Sequence, residues 1–245
     1  ALVGMPLDKL PLEQMQQILA GGTSVCQSIG IMVGGGHSID APEPIYGLVA
    51  LGLVDPANIK RNDTAKDGDV LILGKSLGVG ILSAALQKGE LDQAGYQEMI
   101  AATTKLNTVG ADLATMDSVH ALTDVTGFGL MGHLLEMCRG ASLAAQVRFA
   151  DLPLLPTARN LAEAGFNTGA AGRNWASYGH EVTEPADLAA WQHNLMVDPQ
   201  TSGGLLAAVA PDAVEDVLKL FHDQGFGDAT VVGQMQTGNS GIEVL

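Results

Sequence analysis

Three short stretches hold the residues whose types and spacing could do chemistry. The first is Gly34-Gly35-Gly36-His37-Ser38-Ile39-Asp40. Clustered glycines let several backbone N–H groups converge on one space, the geometry that cradles a phosphate. Ser38 adds a hydroxyl and His37 a neutral donor. A tight crossover turn explains the same pattern, and on spacing alone it is the commoner explanation, because short glycine runs are frequent. The second stretch is Leu122-Thr123-Asp124-Val125-Thr126-Gly127-Phe128-Gly129-Leu130. Here a strand ends at Leu122 and a helix begins near Gly127, so Asp124 sits where a strand tip meets a helix N-terminus. A carboxylate in that place can hold Mg²⁺ against a polyphosphate, and the helix dipole favours anions at that end. The competing reading is a plain N-cap by Asp124 or Thr126. The third, Asp198-Pro199-Gln200-Thr201-Ser202-Gly203-Gly204, is a polar turn entering an apolar run. It either shapes a site or only ends a loop, and the second is the commoner case.

The remaining candidates are plainer. His133 lies on the helix after the Asp124 turn and reads as packed. His180 and His193 stand alone, without zinc spacing. Trp175 and Trp191 read as packing residues. Cys26 and Cys138 sit in helical patterns and read as buried free thiols, which fits a reducing, cytoplasmic setting. There is no GxSxG, no Walker-type GxxxxGK[ST] and no Ser-His-Asp arrangement. Asp63, Asp67 and Asp69 are too irregular for a calcium loop.

Composition narrows the class. The formal charge is −15 with no Lys/Arg stripe, which disfavours nucleic acid as a partner. No run of 18 apolar residues is present, so no membrane span is expected. Hydrophobic residues make up 47% of the 245 positions but aromatics only 4%, so the core must be built from Ala, Val, Leu, Ile and Met.

These stretches need elements to position them. Residues 1–4 read as the tail of a strand. Pro11 opens a helix whose apolar face carries Leu12, Met15, Ile18 and Leu19, then Val25, Cys26 and Ile29. Gly21-Gly22 is either a break or a close contact. Residues 30–33 read as a short strand, 34–44 as a glycine-rich loop and 45–54 as a clear strand. The polar stretch 55–69 reads as a hinge between two domains, 1–58 and 59–245. Beyond it, strands are expected at 69–74, 119–122, 144–148, 204–210, 229–234 and 241–245. Helices are expected across 78–115, at 128–139, and around Val214, Val217, Leu218 and Phe221. Residues 151–200 read as surface loops carrying short helices. The mixture gives an α/β (α+β) class.

Four segments together resemble the selenophosphate synthetases, also called selenide, water dikinases. They are GGHSIDAPEPIYGLVALG at 35–52, LTDVTGFGLMGHLLEM at 122–137, RNWASYG at 173–179 and VDPQTSGGLLAAV at 197–209. The first is long and idiosyncratic, and the likeness runs along nearly the whole chain. The family sits in a superfamily with aminoimidazole ribonucleotide synthetase and thiamine-monophosphate kinase. The resemblance implies an N-terminal α/β domain that forms a barrel across a homodimer, represented by residues 1–58. A larger C-terminal domain follows, represented by 59–245. It implies a transferase that turns selenide, ATP and water into selenophosphate, AMP and phosphate. Asp124 resembles the family's Mg²⁺-binding carboxylate. Gly36, His37 and Ser38 resemble an ATP-contacting segment, which in the dimer could serve the partner's site.

The family's catalytic Cys or selenocysteine, its nearby Lys and several metal-binding Asp residues have no match in this sequence, and neither Cys26 nor Cys138 occupies that context. The sequence opens Ala-Leu-Val-Gly without Met, which reads as the interior of a longer protein. The chain by itself is therefore expected to form no AMP from ATP and selenide. Competing readings are another ATP-dependent superfamily member, such as an aminoimidazole ribonucleotide synthetase, and a non-catalytic dimeric scaffold.

Overall fold

In a computed structural model describing residues 1–245, the chain divides into a unit Ala1–Asp55 and a unit Pro56–Leu245. The smaller unit contains β1 (Leu2–Met5), α1 (Leu12–Ser28), β2 (His37–Asp40) and β3 (Ile45–Gly47). Its sheet runs β2-β1-β3, with β2 parallel and β3 antiparallel to β1. Helix α1 continues through Gly21-Gly22, so the pair is no break. A side chain at Gly22 would collide with the Tyr46 ring, which makes Gly22 a close helix–sheet contact.

Two expectations fail in this unit. Residues 30–33 form no strand, and the strand lies inside the supposed glycine-rich loop, at His37–Asp40. Only Ile45–Gly47 of the expected 45–54 strand is paired. The reason is the number of available ladder partners. β1 gives one edge to β2 and the other to β3, and residues beyond Gly47 find neither a ladder nor a surface to pack on in this unit. Val49, Leu51 and Leu53 are consequently 81%, 93% and 105% exposed.

The larger unit is built on a seven-stranded sheet. In chain order its elements are β4 (Val70–Leu73), α2 (Val79–Gln87), α3 (Gln93–Thr104), α4 (Val109–Leu113), β5 (Val119–Asp124), α5 (Gly129–Ala141), β6 (Ala144–Val147) and α6 (Pro156–Glu163). There follow α7 (Gly169–Tyr178), β7 (Val182–Thr183), α8 (Ala190–Met196), β8 (Leu205–Val209), α9 (Val214–Asp223), β9 (Thr230–Gln236) and β10 (Gly241–Val244). The strand order is β5-β8-β4-β9-β6-β10-β7. The pairs from β5 across to β6 are antiparallel, while β10 runs parallel to both β6 and β7.

Every residue of β8 is buried, as an apolar run covered on both faces must be. Alternation sorts the neighbouring strands. Leu71, Leu73, Ala121, Leu206 and Ala208 face one way, onto Leu130, Leu134 and Met137 of α5. Ile72, Val119, Ala207 and Val209 face the other, onto Val217 and Phe221 of α9 and Leu113 of α4. A third cluster joins α2, α3, α6 and α8 through Ile81, Leu82, Met99, Ala158 and Leu195.

The α/β (α+β) class holds. Two local readings change. Residues 151–200 supply core as well as surface, since Ala158, Ala162, Ala171, Leu195 and Met196 are buried. Small alanines make a weak apolar stripe, which is why the periodicity is faint there. Asp69 is buried rather than part of a solvated hinge, with its carboxylate 2.7 Å from both the Lys66 amide and His120 Nδ1.

Candidate active site

The second and third chemical stretches meet at one end of the large sheet. Asp124 ends β5 and stands opposite Leu205 of β8, so the Asp198–Gly204 turn runs beside the Val125–Gly129 turn. The Val125 amide donates to the Gly204 carbonyl at 2.9 Å, and the Gln200 amide donates to the Thr126 carbonyl at 3.0 Å. Two glycines make this approach possible. A side chain at Gly203 would collide with the Val125 carbonyl, and one at Gly129 would press into the Val197 backbone. Gly129 also has a φ of 70°, which disfavours any residue with a Cβ.

The RNWASYG stretch holds the turn from behind. On α7, Asn174 Nδ2 donates to the Gly127 carbonyl at 2.9 Å and the Val197 carbonyl at 3.1 Å. The Tyr178 hydroxyl donates to the Phe128 carbonyl at 2.6 Å, and burial raises its pKa. Thr126 Oγ1 lies 3.1 Å from His133 Nε2, and His133 Nδ1 lies 3.3 Å from Glu136. His133 is thus buried and held at both ring nitrogens, as a packed histidine would be.

Asp124 itself is exposed, and its carboxylate enters no ion pair within the chain. It does not cap α5. The N-cap position is Phe128, which supplies no side-chain bond, and the Thr126 hydroxyl is turned to His133. The Gly129 amide is spent on the Thr126 carbonyl at 3.0 Å, and no side chain caps the remaining amides of the first turn of α5.

No group of three or more His, Cys, Asp or Glu residues is arranged to hold a metal. Mg²⁺ binds through one or two carboxylates together with phosphate oxygens and water rather than in an all-protein cage. The hard oxygen donor of Asp124 fits such an ion.

Gly36, His37 and Ser38 lie in the smaller unit and are exposed. His37 and Ser38 belong to β2, and the His37 amide donates to the Ala1 carbonyl at 3.0 Å. A side chain at Gly36 would collide with that same carbonyl. The picture of a free loop of converging amides is therefore corrected. β2 is an edge strand whose inner amides are spent on β1, leaving its outer edge open.

Two buried charged groups stand behind the turns: the sequence marks Asp198 only as the start of a polar turn and gives Lys75 no role. Asp198 is 1% exposed and caps α2 from a distance in the chain. Its Oδ2 accepts from the Gly80 amide at 2.9 Å and the Ile81 amide at 3.3 Å, and from Gln200 Nε2 at 3.0 Å. Its Oδ1 accepts from Thr168 Oγ1 at 3.4 Å. Gln200 Oε1 takes the Gly78 and Val79 amides, both at 3.1 Å. Lys75, just past the tip of β4, is 6% exposed. Its ammonium donates at 2.6 Å to the Lys105 carbonyl, at 2.6 Å to the Ser202 carbonyl and at 3.4 Å to the Ala102 carbonyl. Burial, helped by the nearby Lys105 charge, lowers its pKa to about 8. The only local hint of either role was a charged residue flanked by an apolar strand and glycines.

Burial pushes the Asp198 pKa up to about 7, against the pull of its four donors. The folded chain then holds a proton that the unfolded chain releases near pH 3.8. The stability this group contributes is full below the unfolded pKa and is lost as pH rises through about 7. Asp198→Asn mimics the protonated form and is expected to flatten that slope. Urea midpoints measured from pH 5 to 8 should fall less steeply in the variant than in the parent, and parallel slopes would refute the assignment.

Comparisons with known proteins follow the same lines. Residues 66–245 match the family described as AIR synthase related protein, C-terminal domain. The selenide, water dikinase of Paraburkholderia xenovorans (strain LB400) is 60% identical over 245 residues, covering 100% of this chain and 69% of that protein. That of Pseudomonas straminea is 59% identical over 238 residues, covering 97% and 67%. That of Rhizobium meliloti (strain 1021) is 51% identical over 245 residues, covering 100% and 70%. Among solved structures, HypE of E. coli, a hydrogenase maturation protein, superposes with a TM-score of 0.71 at 19% identity, covering 99% of this chain and 68% of that one. Thiamine-monophosphate kinase from Stenotrophomonas maltophilia K279a gives 0.69 at 17% identity, covering 99% and 70%. These distant structures share the fold. The sequence relatives, matched along essentially the whole of this chain, share far more, and the chain belongs to the selenide, water dikinase family.

Proposed function

We propose that this chain serves the synthesis of selenophosphate from selenide, ATP and water, with release of AMP and phosphate. The reading is carried by one observation: an exposed, unpaired carboxylate, Asp124, beside a helix N-terminus that no side chain caps. In this reading Asp124 holds Mg²⁺, which supplies positive charge to offset the triphosphate in a protein of net charge −15. The first-turn α5 amides beyond Gly129, which no side chain caps, are the proposed donors to phosphate oxygens. Val125, Gly203 and Gly204 fix the backbone on either side, so that the carboxylate is positioned before substrate arrives. His37 and Ser38, on the open edge of β2, are the proposed ATP contacts of the smaller unit.

The smaller unit is also the proposed dimerisation element, a reading supported by its exposed Met32, Val49, Leu51 and Leu53. Two free cysteines fit a cytoplasmic location. No helix is long and apolar enough to cross a membrane.

The test is a selenide-dependent assay of AMP release, run on the complete enzyme carrying these residues. AMP formed in step with selenophosphate is the expected result. ATP consumption that ignores selenide would overturn the reading.

A further inference from the structure

Helix α7 reaches both turns of the site with one side chain. Asn174 is 8% exposed, and its Nδ2 donates to carbonyls 47 and 23 residues away, Gly127 at 2.9 Å and Val197 at 3.1 Å. One turn further along α7, the buried Tyr178 hydroxyl takes the Phe128 carbonyl at 2.6 Å. Gly132 makes room for that ring, since a side chain there would press on Tyr178 and on Phe128 Cβ. Two consecutive carbonyls of the Asp124 turn are therefore drawn inward onto α7. The Val197 bond closes the end of α8. The Gly127 bond serves no helix or ladder, and its effect is the attitude of a single peptide unit.

That unit is planar, and no peptide bond in the chain is cis. In a trans unit the N–H points opposite to the C=O. With the Gly127 carbonyl turned in to Asn174, the Phe128 N–H is turned out, away from α7. There it donates to no group of the chain. Gly127 and Phe128 are both exposed, and a side chain added at Gly127 would meet nothing within 4 Å. The Phe128 amide is thus a free donor on the open side of the turn that begins at the exposed carboxylate of Asp124.

We propose that Asn174 is a positioning residue of the phosphate site, holding the Gly127–Phe128 peptide so that the Phe128 N–H donates to a nucleotide phosphate oxygen. The inference rests on the reading of Asp124 as the carboxylate that holds Mg²⁺ against those phosphates.

The test is the affinity of the complete enzyme for a non-hydrolysable ATP analogue with Mg²⁺, measured by calorimetry. Phe128→Pro deletes the N–H. The Phe128 φ of −86° is close to the range proline imposes, and Gly127 before it has no Cβ for the proline ring to crowd. Phe128→Ala loses the ring and keeps the N–H, so the pair isolates the donor. The proline variant is expected to bind the analogue about 10-fold or more weakly than the alanine variant, the scale of one hydrogen bond to a charged group. Asn174→Leu keeps the bulk of the side chain and removes its donors, and a loss of about 10-fold is expected there too. Thermal melts define the range in which each variant is folded, and affinities are compared inside it. Equal affinity in the two Phe128 variants would overturn the proposal. So would an Asn174→Leu enzyme that melts early yet, while folded, binds the analogue like the parent. The affinity is read without selenide, so failure here leaves the selenide-dependent AMP assay, and the reading it tests, standing on its own result.

Discussion

Asp124→Asn in the complete enzyme is expected to lower selenide-dependent turnover about 10²-fold or more, the usual scale when one electrostatic contact to the reacting phosphates is lost. The substitution keeps the shape of the side chain and removes its charge, and charge is what binds a hard divalent cation. The loss should therefore be steepest at limiting Mg²⁺ and partly recovered at high Mg²⁺. Stability should move by no more than about 0.5 kcal/mol, because the side chain is exposed and bonded to nothing in the fold. An Mg²⁺ titration of the rate, beside a thermal melt, separates these effects. A variant with the parent's rate at limiting Mg²⁺ would remove Asp124 from the site.

Lys75→Met is expected to destabilise the larger unit by about 3 kcal/mol, the scale of two charge-assisted hydrogen bonds lost. The acceptors are the Lys105 and Ser202 carbonyls, at the end of α3 and in the turn that enters β8. Ser202 has a φ of 52°, a left-handed conformation that a serine holds only when its surroundings require it. The Lys75 ammonium supplies that requirement from the strand next door. Two residues on, Gly204 accepts from the Val125 amide, and Val125 follows Asp124. Lys75 is thus a positioning residue at one remove from the carboxylate. In the complete enzyme, Lys75→Met should raise the Mg²⁺ concentration needed for turnover as well as lower the denaturant midpoint. An unfolding free energy within about 0.5 kcal/mol of the parent's would show that the three carbonyls find water instead.

Much of the larger unit was legible because its strands are short apolar runs bounded by turn residues. β4, β5, β6, β8, β9 and β10 all lie at the expected places. The helix after Asp124 was legible for the same reason, through Leu130, Leu134 and Met137. The smaller unit was less so. Its run at 45–54 has the composition of a strand, but a strand also needs a neighbour, and composition does not say whether one exists. The run at 37–40 lacks that composition and is a strand because β1 offers it an edge.

The sequence alone determined the class of the fold, the turns that carry chemistry and the family those turns belong to, since local periodicity, turn residues and idiosyncratic motifs are all properties of contiguous residues. The tertiary structure decided that β5 lies beside β8, which sets the Asp198–Gly204 turn against Asp124. It decided that Lys75, on which the local pattern is silent, and Asp198, which opens a polar turn in the sequence, are buried anchors. The physical reason is that ladder partners, burial and the satisfaction of a buried charge depend on groups distant in the chain, and no local pattern encodes which distant group will arrive.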